Sequence, residues 1–564
     1  MNSASRFILS LVVVVNLYTA VYPASGKPVR SRNGMVVSAH RIASEIGVSI
    51  LQKGGNAVDA AVAVGFALAV VFPEAGNIGG GGFLLYRDAG GEAFCLDFRE
   101  KAPKSAWRDM YVDTAGNVTR DIVRGHRSAG VPGTVAGLVE ALHKYGTLDL
   151  GDVIQPAIET AYSGFVVDRN LDENLHDYET DLREFESTVK VFTKNGDLYR
   201  EGDTLRLPEL AAVLERVRDT DGRDFYIGTT ANLMIDEMKR GGGFITKDDL
   251  ASYRVIERTP LKGSYRGYEV YSIPPPSSGG ICLIGLLNIL EGYDLNSMGF
   301  HSSSAVHNMA EAMKCVYADR AHYLGDPAFT EIPTDLLLSK EYATERRNKI
   351  DSLAARQSSE IRPELLKKDS PHTTHYSVVD ADGNSVAVTY TVNDLFGSQV
   401  IVDGAGFFLN NEMDDFSAQP GVPNSYGLIG GVSNSIEPEK RPLSSMTPTI
   451  VVKNDKPFLV LGGRGGSRII TGVLQVIVNV IDFGMNIQEA VDMPRFHHQW
   501  YPDEIIIERY GLPTDVLSNL ALRRHSLRII DSSCGEVEAI HLDHNTGWIY
   551  GGPDPREGGS AVGY

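Results

Sequence analysis

The sequence predicts an α/β protein whose sheets are antiparallel or mixed and covered by helices. Three observations predict it. Apolar residues recur at helical spacing through much of the first two thirds of the chain. Short β-branched and aromatic runs are interleaved with them. After residue 373 the pattern changes to closely spaced strands, with helices returning only near residues 467 and 487.

Each element has a local reason. Residues 41–52 are amphipathic and stop at Gly54-Gly55, so they form a helix with a glycine end. Residues 57–72 follow at once; they are apolar, rich in alanine, contain Asp59 and stop at Pro73, which fits a buried helix better than a membrane span. Residues 83–87, 92–97 and 269–273 read as strands. Ser302-Ser303-Ser304 caps a helix running through Met309, Met313 and Tyr317. Residues 376–379 and 385–392 form paired strands turned at Asp380-Ala381-Asp382-Gly383-Asn384. Residues 399–402, 449–452 and 458–461 are further strands, residues 467–483 a long helix, and a short helix starts near Ile487 and ends before Pro494. No repeat or linker is visible. The one discontinuity is the charged stretch 357–370, suited to an exposed, cleavable segment.

The 564 residues are 43% hydrophobic and 22% charged, an ordinary globular composition, and length alone argues for several domains. The net charge of −19 disfavours a nucleic-acid partner, since phosphate binding needs concentrated Lys and Arg. Arg6, the apolar run 7–15 and Ala24-Ser25-Gly26 read as a secretory signal over residues 1–26; an uncleaved anchor is the alternative, but the apolar run is short of the ~20 residues of a span. Cys95, Cys282, Cys315 and Cys534 are scattered, which excludes a disulfide framework though not one bridge, and no zinc-ligand spacing occurs. No metal site is expected at His497-His498, because adjacent residues do not share a face. Asn117-Val118-Thr119 is a glycosylation sequon.

The chemistry-bearing features lie around Thr373-Thr374-His375. If the chain is cut between His372 and Thr373, the new terminal amine can act as base for the Thr373 hydroxyl. Otherwise the pair is a strand-edge threonine dipeptide. Gly462-Gly463-Arg464-Gly465-Gly466-Ser467-Arg468 follows a strand and opens a helix. It can bind phosphate, form an oxyanion hole, or serve only as a tight turn. Gly79-Gly80-Gly81-Gly82 favours close chain packing. Arg99 suits a carboxylate clamp, Glu412 with Asp414 and Asp415 an ammonium, and Ser444-Ser445 offers two hydroxyls. G-x-S-x-G is missing, which weakens a lipase-type reading, while a triad through His375 stays open.

Thr373 to Asp380, Thr391-Val392-Asn393, Asn410 to Phe416, Arg441 to Met446 and Gly465-Gly466-Ser467 resemble the small subunit of the γ-glutamyltranspeptidase (glutathione hydrolase) family. Gly54 to Ala61, Asn77 to Phe83 and Asp97 to Glu100 resemble its large subunit, in the family order. The resemblance implies a four-layer αββα sandwich of the N-terminal-nucleophile hydrolases. It implies a precursor that cuts itself after His372 into a large subunit, 27–372, and a small one, 373–564, forming one folded unit. Thr373 is then the nucleophile and Thr391 its assistant. Gly465 and Gly466 are oxyanion donors. Arg99, Ser444 and Ser445 grip the glutamyl α-carboxylate, and Asn393, Glu412 and Asp415 its α-amino group. Tyr426 resembles the aromatic of a lid loop. The implied substrates are glutathione and other γ-glutamyl amides, with water or an amino-acid or peptide amine as acceptor and no cofactor. The rival is a glutaryl (cephalosporin) acylase of the same fold; its substrate lacks the α-amine, so Glu412 and Asp415 would be buried facing nothing positive. A non-catalytic binding protein is the third reading, and intact Thr373, Gly465 and Gly466 argue against it.

Overall fold

The computed structural model describes residues 25–361, 373–419, 421, 428 and 430–564. The leader before Ser25, His372 and Tyr426 lie outside the described residues.

Two seven-stranded sheets form the centre, and every pairing within them is antiparallel. One runs Ser560–Gly563, Met35–Ser38, Thr374–Val379, Ser385–Thr391, Gly81–Arg87, Ala93–Phe98, Ile256–Arg258. The other runs Val29–Ser31, Trp548–Gly552, Glu536–Asp543, Lys456–Arg464, Thr449–Lys453, Tyr268–Ser272, Leu261–Tyr265. Both sheets combine strands from before and after residue 373.

The alternation of side chains explains the layers. In the first sheet Val36, Leu84, Tyr86, Tyr376, Val378, Val386 and Val388 face the helices Arg41–Gln52, Ala57–Val71 and Thr134–Tyr145. Their neighbours Met35, Val37, Phe83, Leu85 and Ala387 face the other sheet, meeting Ile450, Val452, Val460, Ile540 and Leu542. On the far side Val451, Leu459, Leu461, Val537 and Ala539 pack on Gly279–Leu290, Arg468–Ile481 and Ile487–Asp492. The result is helix, sheet, sheet, helix. With both faces of each sheet covered, the central strands are buried throughout, and each large apolar side chain contributes about 1.5–3 kcal/mol.

The helix Ala57–Val71 is buried along its whole length. It is held at its start by a reciprocal cap: Asn56 Oδ1 accepts from the Val58 and Asp59 amides, and Asp59 Oδ2 accepts from the Asn56 amide at 2.7 Å. Ser302 caps Ser303–Tyr323 as expected, accepting from the Ala305 amide at 3.1 Å. All four cysteines are buried free thiols. Among the described residues no helix is long and apolar enough to cross a membrane.

Two expectations are corrected. Residues 399–402 are not a strand: Gln399 has φ +66° and Gly397 φ +52°, and the segment is held by the isolated bridge Ile401–Phe408 and by Thr188, whose hydroxyl donates to the Gln399 carbonyl and accepts from the Ile401 amide. Its apolar residues are buried in a loop instead. The charged stretch 357–370 is exposed only in part: Gln357, Ser359 and Glu360 are exposed, but Ser358 and Ile361 of the short helix Ser358–Ile361 are covered, and residues 362–370 are outside the described residues.

Candidate active site

Strand register builds the site. Thr374 lies opposite Tyr390, Thr391 opposite Gly81, and Gly82 opposite Phe98. Continued by one residue, that register sets Thr373, Thr391, Gly81 and Arg99 in one row at the end of four adjacent strands. The glycine run before Phe83 makes the row compact: a Cβ on Gly80 would stand 1.7 Å from the Thr391 carbonyl oxygen. This agrees with the close-packing reading of that run.

Opposite, in the second sheet, Lys456–Arg464 ends at Gly465 and Gly466, which open the helix Arg468–Ile481. Their φ angles are +126° and +56°, so each favours glycine. Their carbonyls accept from the Arg468 and Ile469 amides at 3.0 and 3.2 Å, while neither glycine amide has a backbone acceptor among the described residues. Two free donors at a helix N-terminus suit a developing negative charge.

Thr373, Thr391, Asn393, Arg99, Asp415, Ser444, Ser445 and Gly466 line one cavity of about 20 Å³, room for little more than a water. Thr373 is 5% exposed. Gly465 lines a separate cleft of about 650 Å³ beyond the turn, whose arginines are spent on neighbours, as with Arg464–Glu536 and Arg509–Asp531. Glu412 stands behind Arg99 and is not in the cavity wall. Asn393, at φ +78°, donates from its backbone to Thr391 Oγ1 at 2.8 Å and from its side chain to the Asn411 carbonyl at 3.0 Å.

Electrostatics concentrate on Arg99, which is fully buried. Its Nη2 donates to Asp415 Oδ2, and its Nη1 stands 2.7 Å from Glu412 Oε2 and 3.3 Å from Glu100 Oε2. The residues expected at opposite ends of a zwitterion therefore pair with each other here. This corrects the argument that Glu412 and Asp415 would face nothing positive without a substrate ammonium. The pairing is incomplete, however. Neither Glu412 oxygen has hydrogen-bond alignment, and Glu100 Oε1 has no partner. Burial drives the Glu412 and Asp415 carboxyls above their ordinary range and Glu100 up to about 7, against the pull of Arg99. Three acids share one guanidinium, a surplus of acidic groups, with Arg320 acting on Asp415 and Arg441 on Glu100 from further off.

Sequence reasoning missed Arg320, Ser277 and Ser278. Arg320 donates to Ser445 Oγ at 3.1 Å and to Ser278 Oγ at 2.9 Å, and burial lowers its pKa. Ser278 Oγ donates to the Ser444 carbonyl and Ser277 Oγ to the Met446 carbonyl, both at 2.7 Å. The Pro274-Pro275-Pro276-Ser277-Ser278 run was a visible turn signal; Arg320 carried none. His375 is not part of a triad. It lies between the sheets on Thr389 and Ser377, at 2.8 and 3.1 Å, with its pKa pushed down to about 3 by burial. Among the described residues no group of three His, Cys, Asp or Glu side chains could hold a metal.

The four layers, with a threonine opening an inner strand beside a glycine turn, are the architecture of the N-terminal-nucleophile hydrolases. The family model for γ-glutamyltranspeptidase matches residues 43–564, and the chain belongs to that family. It is 51% identical to the glutathione hydrolase proenzyme of Escherichia coli (strain K12), over 94% of this chain and 91% of that one. Among solved structures it resembles the cephalosporin acylase from Bacillus halodurans, with a TM-score of 0.84, 29% identity and coverage of 98% and 99%. It also resembles the γ-glutamyltranspeptidase of Helicobacter pylori, with a TM-score of 0.57, 45% identity and coverage of 60% of this chain and 96% of that one.

Proposed function

We propose that the chain cleaves itself between His372 and Thr373, and that Thr373 is the nucleophile of a γ-glutamyltransferase and glutathione hydrolase. The observation that carries this reading is the row Thr373–Thr391–Gly81–Arg99, closed by acids at Arg99 and by the Gly465-Gly466 turn above Thr373. The Helicobacter pylori match supports the two-subunit form: its extent over this chain is that expected of a large subunit alone.

Maturation begins when the Thr373 hydroxyl oxygen bonds to the His372 carbonyl carbon. The carbon–nitrogen bond to Thr373 breaks, and the hydroxyl proton ends on that nitrogen. Water then hydrolyses the resulting ester, freeing the His372 carboxylate, the Thr373 amine and its hydroxyl. The amine, with a reference pKa of about 7.7–8.0, becomes the base for the same hydroxyl near neutral pH.

In turnover, Thr373 Oγ attacks the γ-carbonyl of a γ-glutamyl amide such as glutathione. The Gly465 and Gly466 amides receive the developing oxyanion. The proton taken by the Thr373 amine passes to the departing amine, Cys-Gly in the case of glutathione. Water or an amino-acid or peptide amine then takes the glutamyl group from Thr373. Arg99, Ser444 and Ser445 hold the α-carboxylate, and Asn393, Glu412 and Asp415 the ammonium. Binding is an exchange of partners: the substrate carboxylate replaces acids at Arg99, and the released acids meet the ammonium.

The acid surplus favours a γ-glutamyl over a glutaryl substrate. A glutaryl group brings one more carboxylate and no cation to a site that already holds three acids. The N-terminal pattern further supports export through a leader over residues 1–26. The test is Thr373→Ala. One uncut chain without turnover is expected, whereas the parent should give a small subunit beginning Thr-Thr-His. Two bands from Thr373→Ala would refute self-cleavage at this bond.

A further inference from the structure

The run Arg495-Phe496-His497-His498 plays no part in the chemistry above, yet its two histidines are both buried and reach different places. His497 hydrogen-bonds Thr471 and Gln499, at 2.8 and 2.9 Å, and Gln499 accepts from Ser467 beside the glycine turn at 2.6 Å. His498 turns the other way. Its Nδ1 accepts the Trp500 amide at 3.1 Å, which places its proton on Nε2, 3.3 Å from Asp503 Oδ1.

Asp503 and Trp500 converge on one residue of the chain before the cut. Asp503 Oδ2 accepts the Ser358 amide at 2.7 Å. Ser358 Oγ donates to the Trp500 carbonyl at 2.5 Å, and Trp500 Nε1 donates to the Ser358 carbonyl at 2.9 Å. Ser358 thus has its amide, hydroxyl and carbonyl all engaged. Lys314 ties the same corner, 3.1 Å from Asp503 Oδ1 and donating to the Arg356 carbonyl at 2.7 Å. Ser358, Trp500, Lys314 and His498 are all at most 4% exposed. Ile361, the last described residue before the cut, is packed in the core beyond it.

We propose that the Trp500–Asp503 corner is a clamp that positions the end of the large subunit for self-cleavage. The inference rests on the reading that the cut falls before Thr373. Three hydrogen bonds to one serine of a four-residue helix, beside the buried Lys314 of Ser303–Tyr323, hold that serine far more firmly than so short a piece of regular structure requires. The effect is to anchor the chain on the upstream side of residues 362–372, while Thr374–Val379 anchors it downstream. An intramolecular attack depends on holding its partners near the reacting geometry, and a chain held in place on both sides of the bond samples fewer unproductive conformations. Once the bond is cut, the clamp makes no hydrogen bond or ion pair with the substrate residues among the described residues, and turnover does not need it. Trp500, Asp503 and Ser358 are positioning residues for maturation only.

The experiment follows newly made full-length chain on gels as it converts from one band to two, in Asp503→Asn, Trp500→Phe and Ser358→Ala. Asp503→Asn is expected to slow conversion by about tenfold to a hundredfold. Trp500→Phe, which keeps the ring system largely filled and removes one donor, should slow it less. Once cut, each variant should show kcat and KM per mature site within about twofold of the parent, which a merely structural role would not spare. If Asp503→Asn fails to fold, Trp500→Phe and Ser358→Ala carry the test. Conversion at the parent rate in those two overturns the clamp, as does slowed conversion with an equal loss of kcat. The N-terminal sequence of the small band separates the two readings. A start other than Thr373 defeats the proposed cleavage site, and a start at Thr373 with unchanged rates defeats the clamp alone.

Discussion

Two buried ionic clusters in this molecule are built on opposite plans. Around Arg495 and Arg556, two guanidinium groups meet two carboxylates. Asp554 lies 2.9 Å from each arginine, Glu508 lies 2.8 Å from Arg556, and both acids also accept backbone amides, from Val537, Arg495 and Cys534. Burial opposes ionisation of Asp554, but the two arginines overcome it and hold its pKa below the ordinary range. Around Arg99, one guanidinium meets three carboxyls, two of them with unaligned oxygens, and all three pKa values are raised. A network balanced in charge holds a fold together, even though Arg495 Nε has no acceptor of its own among the described residues. An unbalanced one is costly unless something else completes it, which is what a zwitterionic ligand does.

The contrast is broken or sharpened first by removing one partner from each cluster. Asp554→Ala leaves Arg495 without its carboxylate and Arg556 with Glu508 alone, and arginine cannot shed its proton. A loss of about 3–5 kcal/mol is expected, read as a large drop in Tm or failure to fold. Arg99→Ala leaves three acids, but each is already poised to take a proton. Its Tm should therefore move far less, while kcat/KM on a γ-glutamyl anilide falls by roughly 30-fold to several thousand-fold, the cost of about 2–5 kcal/mol for a lost buried charge partner. Equal Tm losses in the two variants would erase the distinction.

A smaller effect probes the surplus directly. Asp415 lines the cavity, whereas Glu412 stands behind Arg99. Asp415→Asn should cost γ-glutamyl substrates about 1.5–3 kcal/mol, roughly tenfold to a hundredfold in kcat/KM, for one charge-assisted hydrogen bond. Glu412→Gln should cost less. A glutaryl substrate has no ammonium to lose, so its kcat/KM should change little in either variant. Parallel losses on both substrates would point to the acylase reading instead.

What the sequence disclosed follows from how local each signal is. Arg41–Gln52 was legible to the residue because its period and its glycine stop are both in the chain. The inner strand Lys456–Arg464 is longer than the expected 458–461 because Gly462 and Gly463 look like loop. They belong to the strand since a Cβ on Gly462 would stand 2.3 Å from the His375 ring of the facing sheet. Residues 399–402 misled in the other direction: Val400, Ile401 and Val402 have strand composition, but a positive φ at Gln399 turns them into a buried loop. In the site, the residue types were readable from motif resemblance. The mutual pairing of Arg99 with Glu412 and Asp415, and the reach of Arg320 to Ser445, are contacts between distant segments that no local pattern encodes.

The smallest expected effect asks whether a raised carboxyl pKa alone marks a site. Glu74 is buried and makes no ion pair among the described residues, Arg464 acting on it only from a distance; Asn174 donates to one oxygen at 3.4 Å and the other has no partner there. Burial pushes its pKa up to about 7. The folded chain therefore holds a proton there that the unfolded chain releases near its ordinary value of 4.5. The resulting stabilisation is fully present below that value and is lost as pH rises through about 7. Glu74→Gln stays neutral throughout and keeps the Asn174 contact. In the uncut Thr373→Ala background it should match its parent near pH 4 and exceed it at pH 8 by up to about 3 kcal/mol, read as a higher Tm. Turnover of the otherwise unaltered enzyme should not change. An equal Tm difference at both pH values would mean that Glu74 carries no strain. A loss of turnover would mean that an unpaired buried acid, and not the surplus around a buried arginine, is what this fold uses to mark its substrate site.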